Sequence, residues 1–109
     1  MEIIARKRIQ HRIMENNFTN NESESQFELN INGEIAFIEY FIEDNKIHLT
    51  HTEVPKALQA NGVGTELVKH SLQYIKEHNL TLVPTCSFVA DYVNNNPKWH
   101  SILSEGYQM

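Results

Sequence analysis

Between an apolar strand pattern and a long amphipathic helix pattern stands Gln59-Ala60-Asn61-Gly62-Val63-Gly64-Thr65. Glycines at positions 62 and 64 lack the Cβ that would hold backbone amides away from a ligand. At a helix start several amide N–H groups have no intrahelical partner, and the helix dipole favours negative charge there. The segment therefore predicts an anion-binding turn that feeds a helix. Two better-known phosphate loops fail by inspection. A nucleoside-triphosphate loop needs Lys directly after its last glycine, and Thr65 follows Gly64. A dinucleotide fold needs a third glycine three residues on, where Leu67 stands. What remains is Q-x-x-G-x-G, which taken alone also reads as two glycines easing a helix start.

The surrounding pattern supplies a sheet for that helix. Phe27, Leu29 and Ile31 alternate with Glu28 and Asn30, the period of a half-buried strand. Asn32-Gly33 follows as a hairpin turn, because both turn positions need positive φ. Residues 34–43 are apolar on both faces, with Ala36, Ile38, Tyr40 and Ile42 on one and Ile35, Phe37 and Phe41 on the other. That pattern predicts an inner strand covered on both sides. Asp44-Asn45 makes a second turn, and residues 46–54 form a third antiparallel strand closed by Pro55. A helix is expected over 61–78, with Val63, Leu67, Ser71, Leu72 and Ile75 on its apolar stripe and Asn79 at its end. A short strand over 80–85, parallel to the third because a helix intervenes, precedes a short helix over 87–96 stopped at Pro97. Trp99, Ile102 and Leu103 add a last apolar patch before a loose end.

The chain of 109 residues is one domain by length. Residues 1–24 are expected to be a flexible polar extension, and 25–109 the single folded domain. No stretch approaches the ~20 apolar residues that span a bilayer, and Arg6, Lys7 and Arg8 are not followed by the apolar run of a secretory signal. The lone Cys86 cannot form an internal disulfide, which fits a reducing cytoplasm. It also has no second cysteine with which to hold zinc, and the six histidines lack metal-ligand spacing, so no metal is expected. Charge is split along the chain. The basic residues Arg6, Lys7, Arg8 and Arg12 crowd the start, and the rest is strongly acidic. An acidic body excludes nucleic acid as the expected partner and suits basic amines. The basic start reads as an interaction arm or, more commonly, as a solvated end.

Three stretches together resemble the minimal, single-domain branch of the GNAT superfamily of N-acetyltransferases. They are His51-Thr52-Glu53-Val54-Pro55, the Gln59–Thr65 glycine loop, and Pro84-Thr85-Cys86-Ser87-Phe88 with Tyr92, Pro97 and Trp99 behind it. The resemblance runs from about Gln26 to His100. It implies a reduced GNAT fold of mixed α/β (α+β) class: three antiparallel strands, a long helix, a parallel fourth strand and short C-terminal helices. It implies acetyl-CoA as the acetyl donor, its pantetheine lying where the third strand and the following parallel strand splay apart, and an amine as the acceptor. On this resemblance Val54, Gln59, Ala60, Asn61, Gly62, Val63, Gly64, Thr65, Phe88 and Lys69 are expected to bind coenzyme A. Ala60 and Asn61 occupy positions that are often basic in the family, which leaves affinity to backbone amides and scattered Lys56, Lys69 and Lys98. The usual N-terminal helices and last two strands are missing, so much of the ordinary acceptor wall is absent. A protein lysine or a polyamine is then the expected acceptor, and the chain a monomer or weak dimer.

For the chemistry, His51 and Glu53 stand two apart on a strand and face one side unless a bulge intervenes. His51 titrates near neutrality by default, whereas Glu53 needs burial to act as a base there. Cys86 follows the parallel strand and precedes a helix start, a setting that favours the thiolate. It is expected beside the acetyl group, either positioning the thioester or taking the acetyl transiently. Tyr92 is the expected proton donor to the departing thiolate. The bland alternatives are a solvated His–Glu pair, a small buried Cys and a packing Tyr. Competing functions are a non-catalytic coenzyme A-binding module with Cys86 as redox or acyl sensor, a cysteine hydrolase using Cys86 with His51, and a plain interaction domain.

Overall fold

The computed structural model describes residues 17–104. Five strands form one sheet in the order β1-β2-β3-β4-β5: β1 Phe18–Asn21, β2 Gln26–Ile31, β3 Glu34–Glu43, β4 Lys46–Glu53 and β5 Thr81–Pro84. The first four run antiparallel to their neighbours, and β5 joins β4 in parallel. Helix α1 (Val63–Glu77) makes the crossover between β4 and β5, and α2 (Ser87–Asn94) follows β5. Short 3₁₀ helices occupy Lys56–Asn61 and Pro97–Ile102.

The local signals account for most of this. Asn32 and Gly33 both adopt positive φ, at 53° and 86°, as the β2–β3 hairpin requires. Asp44 and Asn45 do the same between β3 and β4, at 52° and 67°. Asn79, at φ 57°, turns the chain out of α1. The α1 stripe buries Val63, Leu67, Ser71, Leu72 and Ile75 as its spacing predicts, and adds Val68. Ser71 satisfies its hydroxyl by donating to the Leu67 carbonyl one turn back at 2.7 Å. These residues pack on Phe27, Leu29, Ala36, Ile38, Ile47, Leu49 and Leu82, which line one face of the sheet in a single core.

The structure departs from the sequence expectations in two places. Residues 17–24 were expected inside a flexible extension, yet Phe18–Asn21 is a strand paired residue for residue with Gln26–Leu29. Its inward positions explain why. The Phe18 ring stacks on Phe27 at 5.7 Å and on His70 at 5.4 Å. Asn20 accepts from the Tyr40 hydroxyl at 2.6 Å and donates to that of Tyr74 at 2.9 Å. The sheet thus has four antiparallel strands before the parallel one. Residues 1–16, the rest of that expected extension, lie outside the described residues.

Second, β3 is covered on one face only. Ala36 and Ile38 are fully buried beneath α1, while Ile35 and Phe41 remain 40% and 49% exposed on the opposite face. Alternating apolar residues on both sides were read as two covers, but among the described residues helices cover one face only. The apolar patch expected at Trp99, Ile102 and Leu103 is tied to the sheet, and of the loose end expected after it only Ser104 lies within the described residues. Leu103 bridges β5 at Leu82, and the Ser104 amide donates to the Leu82 carbonyl at 2.9 Å. No described helix is long and apolar enough to cross a membrane.

Candidate active site

Strands β4 and β5 stay paired from Lys46↔Thr81 to Leu49↔Pro84, then separate. The last link is the Cys86 amide donating to the Leu49 carbonyl at 2.8 Å. Beyond it β4 continues to Glu53 against β3 alone, while the chain after Cys86 turns into α2. The register between β3 and β4 slips at Glu39/Tyr40, so that Thr50 is an extra residue in β4. A cleft of about 600 Å³ opens in the gap.

Its walls come from three elements. His51, Thr52 and Val54 stand on the β4 side, Cys86, Ser87 and Phe88 on the α2 side, and Gln59, Gly62, Gly64 and Thr65 close the helix end. Gly62 holds φ at 71° ahead of α1, a left-handed value that any side chain strains to adopt. The first helical bond runs from the Glu66 amide to the Gly62 carbonyl at 3.1 Å. The amides of Val63, Gly64 and Thr65 precede it and are free of the helical ladder. A Cβ on Gly64 would come within 2.9 Å of the Phe88 ring and 3.4 Å of Val54 Cγ2, so glycine keeps the cleft floor low. Gln59 fastens the turn to the strand, its side-chain amide donating to the Val54 carbonyl at 3.0 Å.

The candidate residues divide clearly. His51 and Glu53 share a face despite the bulge, with His51 Nε2 2.9 Å from Glu53 Oε2. Both are more than half exposed, at 53% and 56%, so the pair adds little to stability. The burial that Glu53 was expected to need is absent. Thr52 points to the other face, where its hydroxyl lies 3.2 Å from Cys86 Sγ. Cys86 is partly buried and caps α2, its carbonyl accepting from Ala90 at 2.9 Å.

Several expected residues stand elsewhere. Lys69 lines a separate hollow with Glu66, His70, Gln73, Lys98 and Trp99. Lys98 covers the Trp99 ring there at 5.3 Å. Val63 points its side chain into the core, leaving only its backbone for a ligand. Ala60 and Asn61 are exposed on the 3₁₀ turn and are not among the cleft-lining residues. Tyr92 packs against the core and is likewise not a lining residue. Thr52 and Ser87 line the cleft without having been singled out. The alternation that sends His51 and Glu53 one way sends Thr52 the other, toward the strand gap, and that was the available signal.

A sheet split at the ends of two parallel strands, with a glycine-paved helix start at its mouth, is the arrangement of a GNAT fold. The profile of the GCN5-related N-acetyltransferase family matches residues 26–102, and the chain belongs to that family. The chain is 33% identical over 75 residues to Protein NATD1 of Homo sapiens, covering 66% of each protein. It is 24% identical over 100 residues to Protein NATD1 of Danio rerio, covering 89% of this chain and 83% of the relative. A GCN5-like protein from Staphylococcus aureus, solved by NMR in solution, superposes with a TM-score of 0.61 at 26% identity, over 84% of this chain and 93% of the other.

Proposed function

We propose that the protein transfers acetyl from acetyl-CoA to an amine, the thioester lying in the β4–β5 cleft. The observation that carries this reading is the continuity of that cleft. A single cleft joins the amides around Gly62 and Gly64 to Cys86 and His51. The amides of Val63, Gly64 and Thr65 would hold the pyrophosphate, since they are free of the helical ladder and the dipole of α1 favours an anion. Phe88 and Val54 would flank the pantetheine. Ala60 and Asn61 bring no cation, so affinity rests on the backbone.

Acetyl-CoA supplies an activated carbonyl; this chain supplies position and proton transfer. Orientation alone can provide a large part of the acceleration. His51 accepts the proton of the incoming amine, and Glu53 fixes its ring at 2.9 Å. Cys86 and Thr52 sit across the gap, where the thiol either steadies the thioester or receives acetyl before the amine does. The acceptor is a protein lysine or a polyamine: the face at His51 carries Glu39 and Glu53 and has no covering layer among the described residues. A lone cysteine accords with a reducing cytoplasm.

The test is acetyl-CoA consumption by wild type, His51→Gln and Cys86→Ala, with and without spermidine or a lysine peptide. Amine-dependent consumption, lowered roughly 10²-fold in kcat or more by His51→Gln, is expected. Cys86→Ala retains turnover if the amine attacks directly and loses it if acetyl passes through sulfur. Consumption independent of amine would mark a hydrolase, and saturable binding without any turnover would mark a non-catalytic coenzyme A module.

A further inference from the structure

A further cavity, of about 620 Å³, opens at the end of the sheet remote from the cleft. Its volume falls within the ~300–1,000 Å³ of small-molecule sites. The end of α1 walls it with Tyr74 and His78, and the β1–β2 turn brings Glu22 to its rim. Two pairs of positions measure its separation from the cleft. Gly64 and Tyr74 stand ten residues apart on α1, ~15 Å. Ile47, on the cavity wall, precedes His51 by four residues of β4, ~13 Å.

The floor is apolar: Ile47 is fully buried, Leu80 half-buried, and Ile42 left 51% exposed. The polar groups around it are already ordered. Tyr40 donates its hydroxyl to Asn20 at 2.6 Å, and Asn20 donates in turn to the Tyr74 hydroxyl at 2.9 Å. The His78 ring stacks on Tyr74 at 3.8 Å. Its Nδ1–H donates to the Tyr74 carbonyl at 2.9 Å, since a carbonyl only accepts. A wall held this way costs little to organise when a ligand binds.

The charge there has one sign. Glu22 has no lysine, arginine or histidine partner among the described residues. No lysine or arginine lines the cavity, and Lys76 in the last turn of α1 is not on its wall. The C-terminal end of the α1 dipole adds partial negative charge. Tyr40 registers the same field: burial chiefly raises its pKa, the Asn20 bond lowers it, and the Glu22 charge raises it again. A cation is favoured and an anion repelled. A second charge on the ligand would be stranded on the apolar floor, which disfavours a polyamine.

We propose that this cavity is a second binding site, for a protonated monoamine with an apolar body, its ammonium at Glu22 and its chain on Ile42, Ile47 and Leu80. An amine held here is too far from Cys86 and His51 to be an acceptor at the cleft. The site therefore stands independently of the acetyltransferase reading.

The test is an amide-resolved NMR titration of the full chain with n-hexylammonium, without any acetyl donor. Saturable shifts are expected at Glu22, Tyr40, Ile42, Tyr74 and His78. Butylammonium, two methylenes shorter, should bind roughly 10-fold more weakly, and spermidine and hexanoate more weakly than hexylammonium. Glu22→Gln lies in an exposed turn and leaves the sheet intact. It should weaken hexylammonium ~2–5-fold, the scale of one exposed ion pair, and leave 1-hexanol binding unchanged. Hexanoate binding as tightly as hexylammonium would overturn the proposal, as would an equal loss for 1-hexanol in Glu22→Gln. So would hexylammonium shifts at His51 and Glu53 with none at Tyr40, Ile42 and Tyr74, which would leave the cleft as the amine site.

Discussion

Gly62 and Gly64 stand two residues apart but are required for different reasons, and alanine should separate them. At Gly62 the constraint is conformational: φ is 71° and a Cβ would meet nothing within 4 Å. Alanine there pays the left-handed penalty, ~1–2 kcal/mol of stability. For a domain of this size each kilocalorie lowers Tm by ~4–8 °C. At Gly64 the backbone is ordinary, and a Cβ meets the Phe88 ring at 2.9 and 3.2 Å. Phe88 is 43% exposed and free to swing, at a cost of ~0.5–1.5 kcal/mol for an off-rotamer shift. Replacing a helical glycine returns ~0.8–1 kcal/mol. The two effects nearly cancel, so Gly64→Ala should unfold in urea within ~1 kcal/mol of wild type. Its cost falls on the ligand. The new methyl and the displaced ring intrude on the cleft floor, and losing one charge-assisted hydrogen bond, ~1.5–3 kcal/mol, weakens binding ~10–100-fold. Urea melts and calorimetric titration with acetyl-CoA read the two quantities. Unchanged affinity in Gly64→Ala, or a larger stability loss there than in Gly62→Ala, would refute the reasoning.

Other consequences can be read from single positions. Tyr40 has its pKa raised, chiefly by burial, and its hydroxyl is in the Asn20 bond. The stability this gives is therefore complete below the ordinary tyrosine pKa of ~10 and is lost as pH rises through the higher folded value. Tyr40→Phe should cost about 1 kcal/mol near neutrality and flatten the alkaline decline in urea stability; an identical decline in the variant would disprove the assignment. Leu72→Ala, at a fully buried position of α1, should cost ~2–5 kcal/mol by the same melts. A loss under 1 kcal/mol would mean that the core there relaxes. Thr52→Val removes the hydroxyl 3.2 Å from Cys86 Sγ. Alkylation of Cys86 by iodoacetamide should slow ~2–5-fold for the loss of one modest hydrogen bond, and an unchanged rate would remove Thr52 from the site.

The antiparallel core was legible because its signals are local. Asn32-Gly33 and Asp44-Asn45 announce positive φ in two residues each, and the α1 stripe repeats at helical spacing over four turns. The glycine turn was legible for the same reason. Strand β1 was not, because its inward side chains are one Phe and one Asn, and the Asn is satisfied by Tyr74, 54 residues away. Only the folded sheet brings those groups together. The single cover over β3 was equally hidden, since Phe37 and Phe41 look the same in sequence whether a second layer exists or not. At the site, spacing placed His51 beside Glu53 but could not indicate that Thr52 meets Cys86 across a strand gap 34 residues wide in sequence. Lys69 was drawn to the cofactor by charge alone, and the turn of α1 carries it to a different hollow.

The central claim is that one cleft joins the glycine turn to Cys86 and takes acetyl-CoA along its length. An amide-resolved NMR titration of the full chain with acetyl-CoA tests it most directly. Saturable shifts with one common dissociation constant at Gln59, Gly62, Gly64, Thr65 and Cys86 are expected, with Lys69 and Lys98 undisturbed. Silence at the glycine turn, or shifts centred on the Lys69–Lys98 hollow, would contradict the account.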